Sequence, residues 1–263
     1  MRLAGKVAII SGGSRGMGAF EAELFVNEGA KVVVGDVRED EGRVLAEKIG
    51  RDAVFVRLDV TSEEDWAAAV KEAVDRYGKL DILVNNAGVS ARSSIEETTG
   101  ADWDRVMDIN AKGVFLGTKA AIPEMRKTGG GSIINISSVD GIRAGMSHSI
   151  TYAASKGGVI AMTRAMAVHH GRDNIRVNCI APGMIYTSMV EAVNEKRREL
   201  RRQIAPLGTE GTAEDVALAA VFLASDESRW ITGVLLPVDA GLMAAGPQSI
   251  LSNIIGDDGT LLE

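Results

Sequence analysis

The sequence predicts a single α/β domain of the doubly wound type, with helices on both faces of a parallel sheet of about seven strands. Short β-branched segments alternate with amphipathic segments along nearly the whole chain, which is typical of this class. The strand segments are apolar at consecutive positions, as strands covered on both faces require. The chain has 263 residues, of which 46% are hydrophobic, so one large core can be built.

Composition excludes several classes of protein. The chain carries 29 basic and 36 acidic residues, a net charge of −7, which argues against bulk binding to nucleic acid or anionic membrane. The one cysteine, Cys179, has no internal disulfide partner, so we expect a reducing cytoplasm. No apolar run approaches the roughly 18 residues of a membrane span, and the first ten residues resemble a strand rather than a signal peptide.

The elements follow one another without a linker or repeat, so residues 1–263 are treated as one domain. Apolar runs predict strands at 6–11, 31–36, 53–60, 80–86, 131–137, 175–183 and 233–241. Helical patterns fall between these strands. Two have both ends marked, at 17–28 and 63–77, and two have only their ends marked, at 49 and at about 127. The last helix begins after an N-cap at Thr151. Residues 246–263 look like a C-terminal tail.

A glycine-rich turn follows the first predicted strand. Gly12, Gly16 and Gly18 lie between this strand and the first helix in "SGGSRGMG". Glycines let a backbone turn tightly and let a diphosphate approach a helix N-terminus. A mere tight turn is the alternative, but the position after the first strand favours dinucleotide binding.

Polar residues follow the next three strands. Asp36 ends the second strand, about 20 residues past the glycines, where an acidic residue binds the ribose hydroxyls of NAD. Asp59 ends the third strand, and "NNAG" (85–88) ends the fourth. Because parallel sheets bind ligands at the carboxyl ends of their strands, we expect these groups to form one site.

A tyrosine and a lysine, Tyr152 and Lys156, are four residues apart in a helical segment. This spacing puts both side chains on one helix face. The simpler interpretation is a phenol packed in the core with the lysine extending past it to solvent.

Seven motifs together identify a family. They are "SGGSRGMG", Asp59, "NNAG", Asn110 in "DINAKG", Ser138 in "NISSVDG", Tyr152-x-x-x-Lys156 and "PGMIYT". In this order, from about Leu3 to Gly241, they resemble the short single-domain branch of the short-chain dehydrogenase/reductase family, and in particular its NAD-type hydroxysteroid and cyclic-alcohol dehydrogenases. The resemblance implies a Rossmann-type fold and an enzyme that interconverts a secondary alcohol and a ketone with NAD as cofactor.

The resemblance also implies roles for single residues. Tyr152 would be the general acid/base, and Lys156 would lower its pKa and hold the cofactor's ribose. Ser138 would stabilise the substrate oxygen. Ser137 is its rival, and the distance from Ser138 to Tyr152 is one residue longer than is usual in the family. Asn110 would hold a water in a proton relay; the alternative is a hydrogen-bonded polar residue in a helix.

The resemblance implies cofactor-binding residues both within the seven motifs and beside them. These residues would be Gly12, Ser14, Arg15, Gly16, Met17, Gly18, Asp36, Val37, Asp59, Val60, Asn86, Ala87, Gly88, Tyr152, Lys156, Pro182, Gly183, Ile185 and Thr187. Arg15, which Arg38 could help, favours NADP, whereas the Asp36 carboxylate would repel the 2′-phosphate of NADP. We therefore predict NAD.

The substrate pocket is predicted to be mostly apolar. Its candidates are Ser90, Ser138, Ile142, His148, Met184, Tyr186 and Met189, covered by a lid over 184–211. This suits a cyclic or hydrophobic alcohol, although Arg92 or Arg143 could hold a carboxylate instead. Within the lid, "EKRRELRR" (195–202) is predicted to be a solvated helix with internal ion pairs rather than an anion site. No metal-ligand spacing occurs, so no metal is predicted.

Alternative functions use the same motifs. One is an NADP-preferring carbonyl or acyl-thioester reductase. Another is a non-catalytic nucleotide-sensing module, which would be expected to lack one of the catalytic residues. An epimerase or dehydratase of the family's extended branch would need a longer chain. We also expect a homotetramer, because the apolar residues of helix 151–170 surround much of its circumference.

Overall fold

The computed structural model describes residues 1–90, 93–144, 149–187, 194–246 and 255. Its strands are β1 (Val7–Ser11), β2 (Lys31–Asp36), β3 (Ala53–Arg57), β4 (Ile82–Asn85), β5 (Gly131–Ile136), β6 (Ile175–Pro182), β7 (Ile185–Tyr186), β8 (Gly211–Thr212) and β9 (Leu235–Val238). Its helices are α1 (Gly16–Asn27), α2 (Glu39–Ile49), α3 (Glu63–Tyr77), α4 (Gly100–Met107), α5 (Gly113–Lys127), α6 (Ile150–His170), α7 (Glu195–Ile204) and α8 (Ala213–Ala224).

Seven of the strands form one parallel sheet in the order β3-β2-β1-β4-β5-β6-β9, which confirms the predicted fold class. The strand order reverses between β1 and β4, which lie side by side. A crevice opens at such a reversal, at the carboxyl ends of the strands, and it is where doubly wound sheets bind their ligands. The polar motifs of the sequence all follow strands that end at this edge.

Each face of the sheet has its own apolar core, because neighbouring residues of a strand point to opposite faces. On β1, Ala8 and Ile10 pack with side chains of α1 and α8, such as Phe25. Val7 and Ile9 pack on the other face, where Trp66 of α3 is fully buried. Burial on both faces explains why most positions of the central strands are apolar.

The two edge strands depart from this prediction. Residues of β3 between Val54 and Val56 are half-buried, and those of β9 are partly exposed. An edge strand has a neighbour on one side only, so its covering helices shield it less completely. Strand β3 also ends at Arg57, earlier than the predicted residue 60, so Asp59 lies two residues beyond the end of the strand.

Three local features were not predicted correctly. The N-cap of α6 is Ser149, whose side chain accepts a hydrogen bond from the Tyr152 amide, and not Thr151, which is buried in the first turn of the helix. Between α4 and α5 the chain makes one π-helical turn at Asp108–Lys112. Strands β7 and β8 form a separate two-stranded ribbon.

No helix in the part of the chain that the structure describes is both long enough and apolar enough to cross a membrane. Cys179 lies on β6 and is buried.

Candidate active site

The glycine turn after β1 is shaped by close backbone approaches. Gly12 has a φ of +62°, and a Cβ atom at this position would lie 2.7 Å from the Cα atom of Ala87. A Cβ atom on Gly18 would lie 2.3 Å from the carbonyl oxygen of Gly12. Side chains are therefore excluded where the turn meets α1, and the helix N-terminus stays open to an anionic group. This cradle fits the diphosphate of a dinucleotide cofactor.

The carboxylate of Asp36 is fixed at the end of β2. It accepts hydrogen bonds from the amides of Ser14 and Arg38, each 3.1 Å long. Asp36 is buried, whereas Arg15 and Val37 on either side of it are exposed. An oriented acceptor thus lies next to the glycine turn, and Arg15 of that turn is exposed.

Asp59 and Asn86 fix the loops after β3 and β4. Asp59 accepts hydrogen bonds from the amide and hydroxyl of Thr61, and these bonds lower the pKa of its carboxyl. The Asn86 amide donates to the carbonyl oxygens of Ser11 and Gly12, at 3.1 and 3.0 Å. Asn86 therefore ties the "NNAG" segment to the glycine turn.

Tyr152 and Lys156 lie one turn apart on α6, near the end of β5. Lys156 is buried, and its Nζ atom donates a 2.8 Å hydrogen bond to the carbonyl oxygen of Ile136. The same nitrogen is 5.7 Å from the centroid of the Tyr152 ring. The lysine thus ends inside the site rather than extending past the phenol to solvent.

Burial works against charge on both side chains. It lowers the pKa of Lys156 to about 8 and raises the pKa of Tyr152 above its usual value. A hydrogen bond with Ser138 lowers the tyrosine's pKa, and the negative charge of Asp140 raises it. The net direction for Tyr152 is upward, because desolvation outweighs the hydrogen bond with Ser138. That Lys156 lowers the pKa of the phenol in the working enzyme stays a prediction.

The structure separates the two candidate serines. Ser137 is buried, and its hydroxyl donates to the carbonyl oxygen of Lys156 at 2.9 Å. Ser138 is the residue whose hydroxyl is hydrogen-bonded to the tyrosine, and it also accepts from the Asp140 amide at 3.1 Å. These contacts favour Ser138 as the serine that faces a substrate.

Asn110 lies in the π-helical turn, fully buried behind the lysine. Its Oδ1 accepts from the Val89 amide at 2.8 Å, and its Nδ2 donates to the Val89 carbonyl and to Ser155 Oγ. A Cβ atom on Gly88 would lie 3.3 Å from Lys156 Nζ and 3.4 Å from Asn110 Oδ1. Gly88, Asn110 and Lys156 therefore lie close together, and a Cβ atom on Gly88 would be in tight contact with the other two side chains.

The segment after β6 forms the opposite wall of the crevice. Its amide at Gly183 donates to the carbonyl oxygen of Val238, and a Cβ atom there would lie 2.7 Å from Asp239. Pro182 and Ile185 are buried, while Thr187 is half-buried. The predicted cofactor contacts from this segment therefore lie at the carboxyl end of β6, beside β9.

The predicted pocket residues are only partly described. Ile142 and Tyr186 are 38% and 37% exposed, Ser90 is exposed, and Met184 is half-buried. His148, Met189 and Arg92 lie outside the described residues, as does the predicted one-residue insertion before Ser149.

The side chain of Arg143 binds backbone carbonyl groups. Its guanidinium donates to the carbonyl oxygens of Leu242 and Ala245, at 2.6 and 3.2 Å. It therefore anchors the segment after β9 to the loop that follows Ser138. These contacts weaken the alternative that it holds a substrate carboxylate.

Sequence reasoning missed two acidic residues near the site. Asp140 affects the tyrosine, and Glu210 is almost fully buried against two arginines of α7. An aspartate two residues after the candidate serine was a visible signal for the first. Nothing in the local sequence distinguishes Glu210 from a solvated glutamate, because its burial depends on α7.

Comparison with known proteins decides the family. A sequence model of the family described as Enoyl-(Acyl carrier protein) reductase matches residues 12–243. The chain belongs to the short-chain dehydrogenase/reductase family. As a short-chain dehydrogenase/reductase, it is an oxidoreductase that acts on CH–OH groups with a nicotinamide cofactor.

Three curated relatives are similar over nearly their full length. The trans-4-hydroxycyclohexanecarboxylate dehydrogenase of Sinomonas cyclohexanicum is 47% identical, over 91% of this chain and 93% of the relative. The 3-alpha-(or 20-beta)-hydroxysteroid dehydrogenase of Mycobacterium bovis is 43% identical, over 92% and 91%. The 3-oxoacyl-acyl-carrier-protein reductase of Thermotoga maritima is 42% identical, over 92% and 100%. Two of the three names describe dehydrogenases of ring-bearing alcohols.

In this short-chain dehydrogenase/reductase, the described residues contain no cluster of three or more His, Cys, Asp or Glu side chains that could hold a metal ion. That the enzyme works without a metal stays a prediction.

Proposed function

We propose that the protein is an NAD-dependent dehydrogenase that interconverts a secondary alcohol and a ketone on a cyclic or hydrophobic substrate. The observation that carries this proposal is the convergence of Ser138, Tyr152 and Lys156 at the carboxyl edge of the sheet. They lie in the same crevice as the glycine turn and the fixed carboxylate of Asp36. Core packing alone therefore does not explain why these residues stand where they do.

The proton chemistry is assigned to two side chains. In alcohol oxidation, Tyr152 Oη takes the proton of the substrate hydroxyl, while Ser138 Oγ hydrogen-bonds the same oxygen. The glycine turn, Asp36 and Lys156 would hold NAD, whose oxidised nicotinamide would supply the hydride acceptor and a positive charge near the phenol. That charge would favour the phenolate against the desolvation described above. In ketone reduction the same two groups act in reverse.

Lys156 and Asn110 support the acid/base. An ammonium has three hydrogens, and one of them is used by Ile136, so two remain for the ribose hydroxyls and for a water. Both amide hydrogens of Asn110 are used by Val89 and Ser155. A relay water in this place would therefore be held by oxygen atoms of the π-helical turn and by the lysine.

The negative charge of Asp36 supports NAD rather than NADP as the cofactor. This carboxylate is held by two amides and cannot easily turn away from a 2′-phosphate. Exposed Arg15 could offset part of the repulsion between Asp36 and the 2′-phosphate. The alternative function is therefore that of an NADP-preferring reductase. The similarity to a 3-oxoacyl reductase supports the same alternative.

A cyclic substrate is supported by the relatives and by the pocket. The substrates named for two relatives are a cyclohexane ring and a steroid. The described pocket side chains Ile142, Met184 and Tyr186 carry no charge, and Arg143 is taken up by backbone carbonyls. We assign the rest of the chain to this one domain, with 184–211 as its substrate lid.

A substrate panel tests the proposal. The protein is mixed with NAD or NADP and with cyclohexanol, 4-hydroxycyclohexanecarboxylate, a 3-hydroxysteroid, a linear secondary alcohol and a 3-hydroxyacyl thioester. We expect reduced-cofactor absorbance to rise with NAD and the ring alcohols. Turnover confined to the thioester with NADP would favour the reductase alternative, and no turnover with any alcohol would contradict the proposal.

A further inference from the structure

Glu210 is a buried carboxylate that holds two arginines of one helix. Its side chain is 4% exposed and lies directly before β8. Arg198 Nε is 2.9 Å from one carboxylate oxygen, and Arg201 Nη1 is 2.8 Å from the other. The arginines are three residues apart on α7, so they lie on the same helix face. We call these three residues the Glu210 cluster.

The two arginines also reach the segment that forms the cofactor and substrate walls. Arg201 Nη2 donates a 3.1 Å hydrogen bond to the carbonyl oxygen of Ile185. The guanidinium of Arg198 lies 4.0 Å from the ring centroid of Tyr186, in the position of a cation–π contact. Because β7 pairs with β8, the cluster links α7, the Tyr186 wall and the chain after Glu210.

The contrast with other ion pairs of α7 shows that this arrangement is specific. Arg202 pairs with Glu195 and Glu199 on the same helix, and both of these glutamates are largely exposed. Exposed pairs of this kind contribute little to stability. A carboxylate removed from water must be matched by well-placed partners, so the buried cluster favours one geometry over others.

We propose that Glu210, acting through Arg198 and Arg201, is a positioning residue that sets the place of Tyr186 and Ile185 against the bound substrate and the nicotinamide end of the cofactor. The inference rests on the proposed function. It predicts that the cluster affects binding at this end of the crevice and leaves the adenosine end, at Asp36, unaffected.

The test compares three variants. Glu210→Gln keeps the shape of the side chain but leaves two arginines without their counter-charge. Arg198→Lys keeps a positive charge near Glu210 but loses the planar contact with Tyr186. Glu199→Gln is the matched control, because it removes a glutamate of α7 whose partner is Arg202. For each protein we would measure kcat and KM for NAD and for the best ring alcohol, and the Kd of ADP-ribose, which lacks nicotinamide.

For Glu210→Gln we expect KM for the alcohol to rise about tenfold and KM for NAD about fivefold, with the Kd of ADP-ribose within about twofold of wild type. Arg198→Lys should raise KM for the alcohol about threefold and leave KM for NAD within about twofold. Unchanged KM values with only a lower melting temperature would overturn the proposal, because that is the result of a merely structural pair. A parallel loss of ADP-ribose affinity would overturn it as well.

A second readout does not depend on turnover. Trypsin can cut within α7 only after the helix opens locally, and the cuts can be mapped by mass spectrometry. We expect this cleavage to be about fivefold faster in Glu210→Gln than in wild type or Glu199→Gln. If wild type oxidises no alcohol, the proposed function fails, while this measurement still decides whether Glu210 fixes α7. Equal cleavage in all three proteins would contradict the positioning role.

Discussion

Lys156 and Tyr152 share one face of α6, yet the lysine donates its hydrogen bond to the carbonyl oxygen of Ile136 on β5. Its Nζ atom is 5.7 Å from the tyrosine ring centroid. Burial lowers the pKa of the lysine to about 8 and raises that of the tyrosine. The site therefore favours the neutral form of Tyr152, the proposed acid/base, and a further positive charge or a higher pH is needed to generate the phenolate.

Replacing Tyr152 with Phe should lower kcat by about a hundredfold or more, because the general acid/base is lost. The affinity for NADH, measured by its fluorescence, should stay within about twofold of wild type, since the ring remains. Tyr77→Phe, far from the crevice at the end of α3, is the control. Activity within about tenfold of wild type would remove Tyr152 from its proposed role.

Replacing Asp140 with Asn should move the acid limb of the kcat/KM profile for alcohol oxidation to lower pH. The reaction needs the phenolate, and the negative charge of Asp140 raises the pKa of Tyr152. Removing this charge therefore lowers the pH at which the phenolate forms. Asp75→Asn on α3 is the control, and a limb that stays in place or moves upward would show that Asp140 does not act on the tyrosine.

Wild type should prefer NAD over NADP by more than tenfold in kcat/KM. Like unit charges at about 4 Å and an effective dielectric constant near 20 repel by about 4 kcal/mol. If about half of this survives screening, about 2 kcal/mol remains, which is more than tenfold.

Asp36→Ala should narrow or reverse this ratio, because it removes the ribose acceptor and the repulsion while Arg15 remains. Asp36→Asn separates the two effects, since its side-chain oxygen can still accept from Ser14 or Arg38. A wild type that prefers NADP would contradict the cofactor assignment. An unchanged ratio in both variants would show that Asp36 does not set it.

Glu21 of α1 should make the protein less stable as pH rises. Its side chain is fully buried, and among the described residues neither carboxylate oxygen has a hydrogen-bond partner. Burial therefore raises its pKa to about 8, well above the usual value of about 4.5 for a glutamate. Since the unfolded chain loses this proton near pH 4.5 and the folded chain only near pH 8, folding is favoured most below pH 4.5. Up to about 5 kcal/mol of stability is then lost between these two pH values.

Glu21→Met should abolish most of this pH dependence and stabilise the protein at pH 8, because an apolar side chain of similar size needs no partner. The measurement is urea unfolding at pH 5 and pH 8 for both proteins. Glu23→Met, an exposed neighbour paired with Lys48, is the control. Equal pH dependence in wild type and Glu21→Met would show that this carboxyl is not the cause.

In solution the protein should be a homotetramer. Val168 of α6 is 80% exposed and Phe115 of α5 is 48% exposed, so apolar side chains face outward on both helices. The family resemblance implies that these two helices pair with those of another copy across a two-fold axis. Light scattering at micromolar concentration should give four times the mass of the chain. Val168→Arg should shift the mass downward, whereas Val44→Arg on α2 should not. A monomeric wild type would refute the prediction.

The order of strands and helices could be predicted from the sequence because it depends on local patterns. Apolar runs of four to six residues marked β1, β2 and β4, and α3 was found at its observed bounds, Glu63–Tyr77. The glycine turn and the spacing of Tyr152 and Lys156 are equally local, since a few neighbouring residues fix where backbone and side chains go.

Only the tertiary structure decided which charges are buried and what they contact. Arg202 forms internal ion pairs as predicted for "EKRRELRR", and Arg198 also pairs with Glu195. Arg198 and Arg201 in addition bind Glu210, which lies outside this segment. Glu21 has ordinary neighbours in sequence, yet its carboxylate has no hydrogen-bond partner in the part of the chain that the structure describes. Desolvation and ion pairing depend on segments that are distant along the chain and are brought together by packing, so a local pattern cannot determine them.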